Sequence, residues 1–454
     1  MQNPSSLVST LAQFRDRRFV AIFLLGFCSG FPWVLHGSVL TLWLQSSGLS
    51  RSAIGYIGAV STVYAINWLW APFVDRLHLP WFYNKLGRRR SWIVLCQLGI
   101  VVCLVVLGNL NPAEHLPAIT LMALGIALCS ATLDIAVDAY RINIFRMEEM
   151  AAKMPLAAAF ATTGWWAGYG FIGGAIALAL GGETIGLAWP DVYHTLIIVY
   201  GVLILLVTVV AEPDEEADRV IEQAKLPSGS SRVAQVRRWL MDHVARPFME
   251  FFQRCGPTLA WSILGLLLIF RLGEAMLGRM SLVFYNEVGF TTDQISFYAK
   301  FYGGLVTAGF SLLGAVVNSR LGIVKGLFIG GVAMAGANLL FALLALVGPN
   351  TNLLMLTLLI DNFFQAFATV AFISFISYFT SRTYTGTQYA LMSSISNFGR
   401  TTLAAGSGAV VDFLSGNWAL FFVLTTLMVI PGLCLLLWVG RLLERETQTS
   451  PNRA

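Results

Sequence analysis

Leu69-Trp70-Ala71-Pro72-Phe73-Val74-Asp75-Arg76, then an insert of mostly apolar residues, then Gly87-Arg88-Arg89-Arg90, is the stretch on which the fold turns. One apolar run closes on an acid and a base, and the next opens directly behind three arginines. A short, strongly basic loop between two apolar runs is what a chain leaves on the cytoplasmic side of a bilayer.

The rest of the chain extends that pattern. Hydrophobic residues make up 57% and charged residues 12%, against roughly half and a quarter in soluble domains. A bilayer core about 30 Å thick takes about 20 apolar residues per helix, so 454 residues accommodate a dozen spans with short connections. Apolar runs between polar breaks predict spans 1 to 6 near 18–44, 52–74, 91–110, 117–141, 153–180 and 192–211. Spans 7 to 12 follow near 257–285, 293–318, 324–347, 351–378, 386–411 and 418–440. The expected fold is an all-α polytopic membrane protein of two six-helix halves, residues 1–211 and 257–454, joined by a cytoplasmic linker at 212–256.

Charge sets the orientation. Breaks after even-numbered spans carry Arg76, Lys85, Arg88, Arg89, Arg90, Arg146, Lys153, Arg320, Lys325 and Arg382, whereas the opposite breaks carry essentially Arg51 alone. Both termini are therefore expected in the cytoplasm. The net charge of +5 reads as this topology signal, not as a nucleic-acid surface. Arg15, Arg17 and Arg18 precede an apolar segment longer than a signal-peptide core and lacking a cleavage site, so the first span is expected to be its own insertion signal. Six cysteines show no metal-ligand spacing, five of them fall inside apolar runs and read as small hydrophobes, and neither metal nor cofactor is expected.

The linker opens with Glu212, Asp214, Glu215, Glu216 and Asp218 and passes through Pro227 to Ser231. From Arg232 to Arg254 it interleaves arginines with Val236, Trp239, Leu240, Val244, Phe248, Phe251 and Phe252, the pattern of an interfacial helix, although a plain tether fits equally. An internal repeat supports the two halves: Gly314 to Lys325 echoes the stretch after span 2, with Asn318 where Asp75 stood, and the glycines of span 5 correspond to Gly399, Gly406 and Gly408 of span 11.

Charges within spans carry mechanism, because one at mid-membrane costs about 2.5–3.5 kcal/mol on insertion scales. Arg271 and Glu274 (span 7), Asp361 (span 10), Arg400 (span 11) and Asp134 (span 4) form the expected central-cavity set. Arg271 and Glu274 share a helix face and can neutralise each other or meet partners from spans 10 and 11. Glu274, Asp361 and Asp134, in that order, are the carboxyls suited to carry a coupled proton. Asp75, Arg76, Arg88, Arg89 and Arg90 suit a clamp that opens as two halves rock, with simple topology as the alternative, and Asp138 and Arg141 suit a gate near the cytoplasmic end. Among the aromatics, Trp33, Trp165 and Tyr169 lie deep enough to line a pocket, whereas Trp43 and Trp70 fit interfacial belts. His36 fits either a proton relay or packing. The glycines of spans 1, 5 and 11 permit close helix approach.

The stretch Asp75-Arg76 to Gly87-Arg88-Arg89-Arg90 resembles the signature loop between helices 2 and 3 of the major facilitator superfamily. The chain further resembles the AmpG family of muropeptide permeases, in Leu69 to Arg76 with Gly87 to Arg90, Asp134-Ile135-Ala136-Val137-Asp138-Ala139-Tyr140, Arg271-Leu272-Gly273-Glu274-Ala275, Val288-Gly289-Phe290, Asp361-Asn362-Phe363, Thr387-Gln388-Tyr389-Ala390-Leu391 and Ser396-Asn397-Phe398-Gly399-Arg400. Arg271 stands where a lysine is common in the family, and the chain has room for twelve spans where some relatives carry more. The resemblance implies a major facilitator fold working as a monomer in the bacterial inner membrane. It also implies proton-driven import of anhydromuropeptides, anionic glycopeptides, for cell-wall recycling and β-lactamase induction. Peptide carboxylates would meet Arg271 or Arg400, with Asp361 beside them, and sugars would stack on Trp33 or Trp165. Siderophore or acyl-CoA carriers, drug exporters and a non-transporting receptor are the competing readings. An embedded enzyme is disfavoured because no nucleophile, histidine cluster or cysteine pair stands among the spans.

Overall fold

The computed structural model describes residues 16–145, 147–213, 241, 246–310, 323–379 and 385–449. Helix is the only regular structure among them. Each expected span is helical where described, and the starts follow local chemistry. Asp16 caps Arg17–Gly30 by accepting from the Arg18 amide, Ser50 accepts from the Ala53 amide, and Thr291 and Gln294 form a reciprocal capping box.

Eight helices among the described residues are long and apolar enough to cross a membrane, and they correspond to spans 1, 3, 4, 6, 7, 9, 10 and 12. The others are divided by turns of different pitch. Span 2 passes through a 3₁₀ stretch at Gly58–Thr62 and span 11 through one at Leu403–Gly406. Span 5 contains a π-helical stretch at Ala167–Phe171, and span 8 opens with one at Ile295–Tyr302. Every third span is thus irregular. Span 1 carries a further π-helical stretch at Val34–Val39.

Span 7 is broken where the sequence predicted a continuous helix: Arg246–Ile269 ends and Leu272–Val288 begins on either side of Phe270 and Arg271. The linker's residues 214–240 and 242–245 lie outside the described residues. From Arg246 the chain is helical, turns at Gly256 (φ 70°), and seats Phe251 in the core below span 7. The stretch expected to be interfacial therefore meets span 7 as packed helix over its last turns.

Two compact units divide the chain: Met1–Leu40, Leu69–Ala224 and Lys300–Leu305 in the first; Thr41–Trp68, Lys225–Ala299 and Val306–Ala454 in the second. Lipid is as apolar as leucine, so helix association rests on close packing. In the first unit, a Cβ placed on Gly26 or Gly30 would strike the backbone carbonyls of Ala161 or Trp165, which brings spans 1 and 5 into backbone contact. The second unit packs Phe270, Phe372, Phe375, Leu267 and Leu436 together, with Phe270 and Phe372 stacked at 5.8 Å. Outer faces are equally apolar: on Trp189–Val209, Val192, Leu196, Tyr200 and Leu203 are buried while Ile198, Val202, Leu205 and Val209 are exposed. Such an outer face belongs against acyl chains.

Candidate functional site

In the second unit the expected charges converge at the break in span 7. Arg271 donates from Nε and an Nη to the two carboxylate oxygens of Glu274, both at 2.7 Å. Arg271 is 8% exposed and Glu274 6%, so this fork-shaped pair is held out of water, where losing one partner strands the other. Glu274 lies in the first turn of Leu272–Val288, where unpaired amides favour an anion. Gln365 of span 10 also hydrogen-bonds Glu274, the Arg400 charge of span 11 acts on it, and Glu274 in turn acts on buried Asp361. Arg400 itself is largely exposed. Four of the five expected cavity charges thus meet in one cluster, and Gln365 joins them unforeseen.

At the Arg51 end of the same unit lies a second cluster. Arg51 donates to Glu287 at 2.7 Å and to Asp412 at 3.2 Å, the Ser52 hydroxyl and amide donate to Asp412, and the Trp418 indole donates to Glu287 at 2.9 Å. Spans 2 and 11 touch backbone to backbone here: a Cβ on Gly55 would lie 2.6 Å from the Ala405 carbonyl oxygen, and one on Gly408 would strike that of Arg51. Burial works against the Asp412 carboxylate, yet its bonds to Ser52 and Arg51 hold it below the usual carboxylate range. Sequence reading used Arg51 only as a topology count, and its standing as essentially the lone basic residue among the breaks on its side was the available signal.

In the first unit Asp134 accepts from the Ser29 hydroxyl at 2.6 Å. Asp138 and Arg141 pair at 2.9 Å, with Asp138 largely exposed. Asp75 and Arg76 end the helix Ala71–Arg76, and their side chains lie outside the described set. Arg88 and Arg89 are buried, with Arg88 bonded to His78 at 2.8 Å. Glu212, expected to open a loose linker, instead accepts from the Arg89 amide at 2.6 Å and the Arg90 amide at 3.2 Å, and pairs with the Arg90 side chain. Burial pushes its carboxyl above the ordinary range, and those amides draw it back. It seals span 3 where Gly87 (φ 76°) interrupts the helix. Asp16, Arg18, Glu149 and Lys153 form a further network at the start of span 1.

The deep aromatics also cluster. Trp33 lies 5.3 Å from His36 and 6.3 Å from Trp165, and Trp165 contacts Trp166 at 5.1 Å and Tyr169 at 5.0 Å, between ring centroids. One face of Tyr169 is covered by the ammonium of Lys300, 4.0 Å from the ring centre. Lys300 is 5% exposed and was passed over in the sequence. The signal was there: a lysine seven residues past Asp293, inside an apolar run. Its cation–π contact recovers about 0.5–2 kcal/mol, against an insertion cost of about 2.5–3.5 kcal/mol for a mid-membrane charge.

Comparison with known proteins agrees with this architecture. Residues 22–401 match the Major Facilitator Superfamily. A Rickettsia felis protein named, by inference, transporter AmpG 4 is 31% identical over 94% of this chain and 98% of its own length. The chain belongs to the AmpG family of the major facilitator superfamily. The anhydromuropeptide permease of Escherichia coli K12 is 27% identical over 95% of this chain and 81% of its own length. Among solved structures, a bacterial homologue of the lysosomal transporter Spinster superposes with a TM-score of 0.68 at 15% identity, covering 94% of this chain and 97% of that one. The D-xylose-proton symporter does so at 0.64 and 13%, covering 92% and 96%. The AmpG-family chain is therefore a multi-pass membrane transporter of twelve helices in two halves, and not an enzyme.

Proposed function

We propose that the chain is a proton-coupled importer that carries anhydromuropeptides from periplasm to cytoplasm across the bacterial inner membrane. In this reading it works as a monomer with both termini cytoplasmic, its halves are 1–211 and 257–454, and 212–256 links them. The buried Arg271–Glu274 pair at the break in span 7 carries the proposal, with Asp361 and Arg400 beside it. A broken helix with paired charges at bilayer depth is how carriers build a binding site. A proton arriving on Glu274 cancels its charge and releases the Arg271 guanidinium, which then takes a cargo carboxylate. Asp361, on which the Glu274 charge acts, receives that proton next in this reading, and Asp134 with Ser29 offers a second protonable site in the first unit. Asp75, Arg76 and Arg88 to Arg90 clamp the cytoplasmic side, with Asp138 and Arg141 near them. The likeness to the anhydromuropeptide permease supports this cargo over siderophores, acyl-CoA or exported drugs.

Proteoliposomes carrying the full chain, under an imposed proton gradient, are expected to accumulate labelled anhydromuropeptide. Glu274→Gln and Arg400→Ala are expected to abolish gradient-driven accumulation. Uptake by wild type that ignores the gradient would remove proton coupling, and no uptake by well-folded wild type would remove the cargo.

A further inference from the structure

We infer that Lys300, presented by span 8 over the Trp165, Trp166 and Tyr169 cluster of span 5, binds an anionic group of the cargo while the neighbouring indoles receive its sugar. Lys300 is buried against the Tyr169 ring, and among the described residues no carboxylate lies within ion-pair distance of it. A lysine buried in a membrane interior with no carboxylate beside it among the described residues is complemented by an anion that arrives from outside the protein.

The backbone is shaped to present it. Gly170 and Gly304 bring spans 5 and 8 together: a Cβ on Gly170 would lie 3.3 Å from the Gly304 Cα, and one on Gly304 would lie 2.9 Å from the Phe171 nitrogen. Lys300 sits one turn before Gly304, and its stem crosses Gly174, where a Cβ would lie 3.4 Å from Cδ. Each span is π-helical at this crossing, Ala167–Phe171 against Ile295–Tyr302. Such stretches mark functional sites because they turn side chains away from the ordinary helical positions. An ammonium beside a run of indoles matches a ligand with a carboxylate next to a sugar ring, since the cation takes the charge and the flat faces take the ring's C–H face.

This assignment rests on the glycopeptide reading and names a contact within it. The test is calorimetric titration of the full chain in nanodiscs with two probes: N-acetylglucosaminyl-anhydro-N-acetylmuramyl tripeptide, and the same molecule with every carboxyl amidated. Lys300→Gln is expected to weaken the acidic probe about tenfold to a hundredfold, as loss of a charged hydrogen bond does. The amidated probe should weaken less than about twofold, and Lys300→Arg should restore the acidic probe to within about threefold of wild type. If Lys300→Gln fails to fold, Lys300→Met, whose apolar stem suits the interior, carries the same comparison. Equal weakening of both probes, or unchanged affinity in the variants, would overturn the assignment while leaving the cargo intact. Binding of neither probe by wild type would overturn the cargo reading and this contact with it.

Discussion

At the scale of single residues, charge placement is the most informative feature, and its consequences differ with depth. Arg271 and Glu274 share two 2.7 Å hydrogen bonds out of water, so removing one leaves the other stranded. Arg271→Gln is expected to lower stability by about 3 kcal/mol, and the Arg271→Gln, Glu274→Gln double variant by less than the sum of the singles. Denaturation of the purified protein in a double-mutant cycle measures the coupling, and simple additivity would mean the pair is energetically inert. Asp16 behaves differently because it lies at the membrane edge. The hydrogen bond from Arg18 holds its carboxyl well below the ordinary value, against some burial, with Lys153 assisting. A carboxyl depressed in the folded state stabilises fully above its unfolded pKa of about 3.9 and loses that contribution as pH falls toward the folded value. Asp16→Asn should therefore cost about 1 kcal/mol at pH 7, with the cost shrinking only below about pH 4. A wild-type advantage that changed between pH 5 and 8 would contradict this origin. The charges themselves were legible, since an ionisable residue inside an apolar run is visible in the sequence, yet Lys300 and Gln365 were not singled out. What they face depends on neighbouring helices.

At the scale of elements, the spans and their order were legible, but their interruptions were not. Hydrophobic runs register as long apolar windows whether the helix inside is regular or broken, and one extra residue per turn leaves composition unchanged. The break at Phe270 and Arg271 therefore passed as a continuous helix, and the π-helical turns of spans 5 and 8 passed as ordinary ones. Gly87 is an interruption that falls inside the basic motif the sequence displayed. Its backbone (φ 76°, ψ −170°) is one that side chains avoid, and a Cβ there would lie 2.5 Å from Glu212. Gly87→Ala is expected to cost about 1–3 kcal/mol and to lower the thermal midpoint; an unchanged midpoint would show that the loop relaxes freely. Glu212→Ala should lower the midpoint as well, because the Arg89 and Arg90 amides lose their acceptor beside a buried Arg89.

At the scale of the whole molecule, the division into sequence halves differs from the division by contact. Residues 41–68 of the first half pack with the second half, and residues 300–305 of the second half pack with the first. The irregular spans make both exchanges, 2 with 11 through 3₁₀ turns and 5 with 8 through π turns. In a carrier whose halves rock about a fixed site, the span 2 to span 11 contact must separate when the Arg51 end opens. Under the proposed rocking of 1–211 against 257–454, the contacts among Arg51, Ser52, Glu287, Asp412 and Trp418 act as a latch that parts when the Arg51 end opens. The Ser52 hydroxyl lies 2.5 Å from the Asp412 carboxylate, so Ser52→Cys with Asp412→Cys places two thiols at the latch. Oxidising that pair in proteoliposomes is expected to cut uptake more than tenfold, and dithiothreitol to restore it, with each single-cysteine variant indifferent to both reagents. Full uptake by the cross-linked protein would mean that spans 2 and 11 stay together throughout the cycle, and that the cargo enters without parting them.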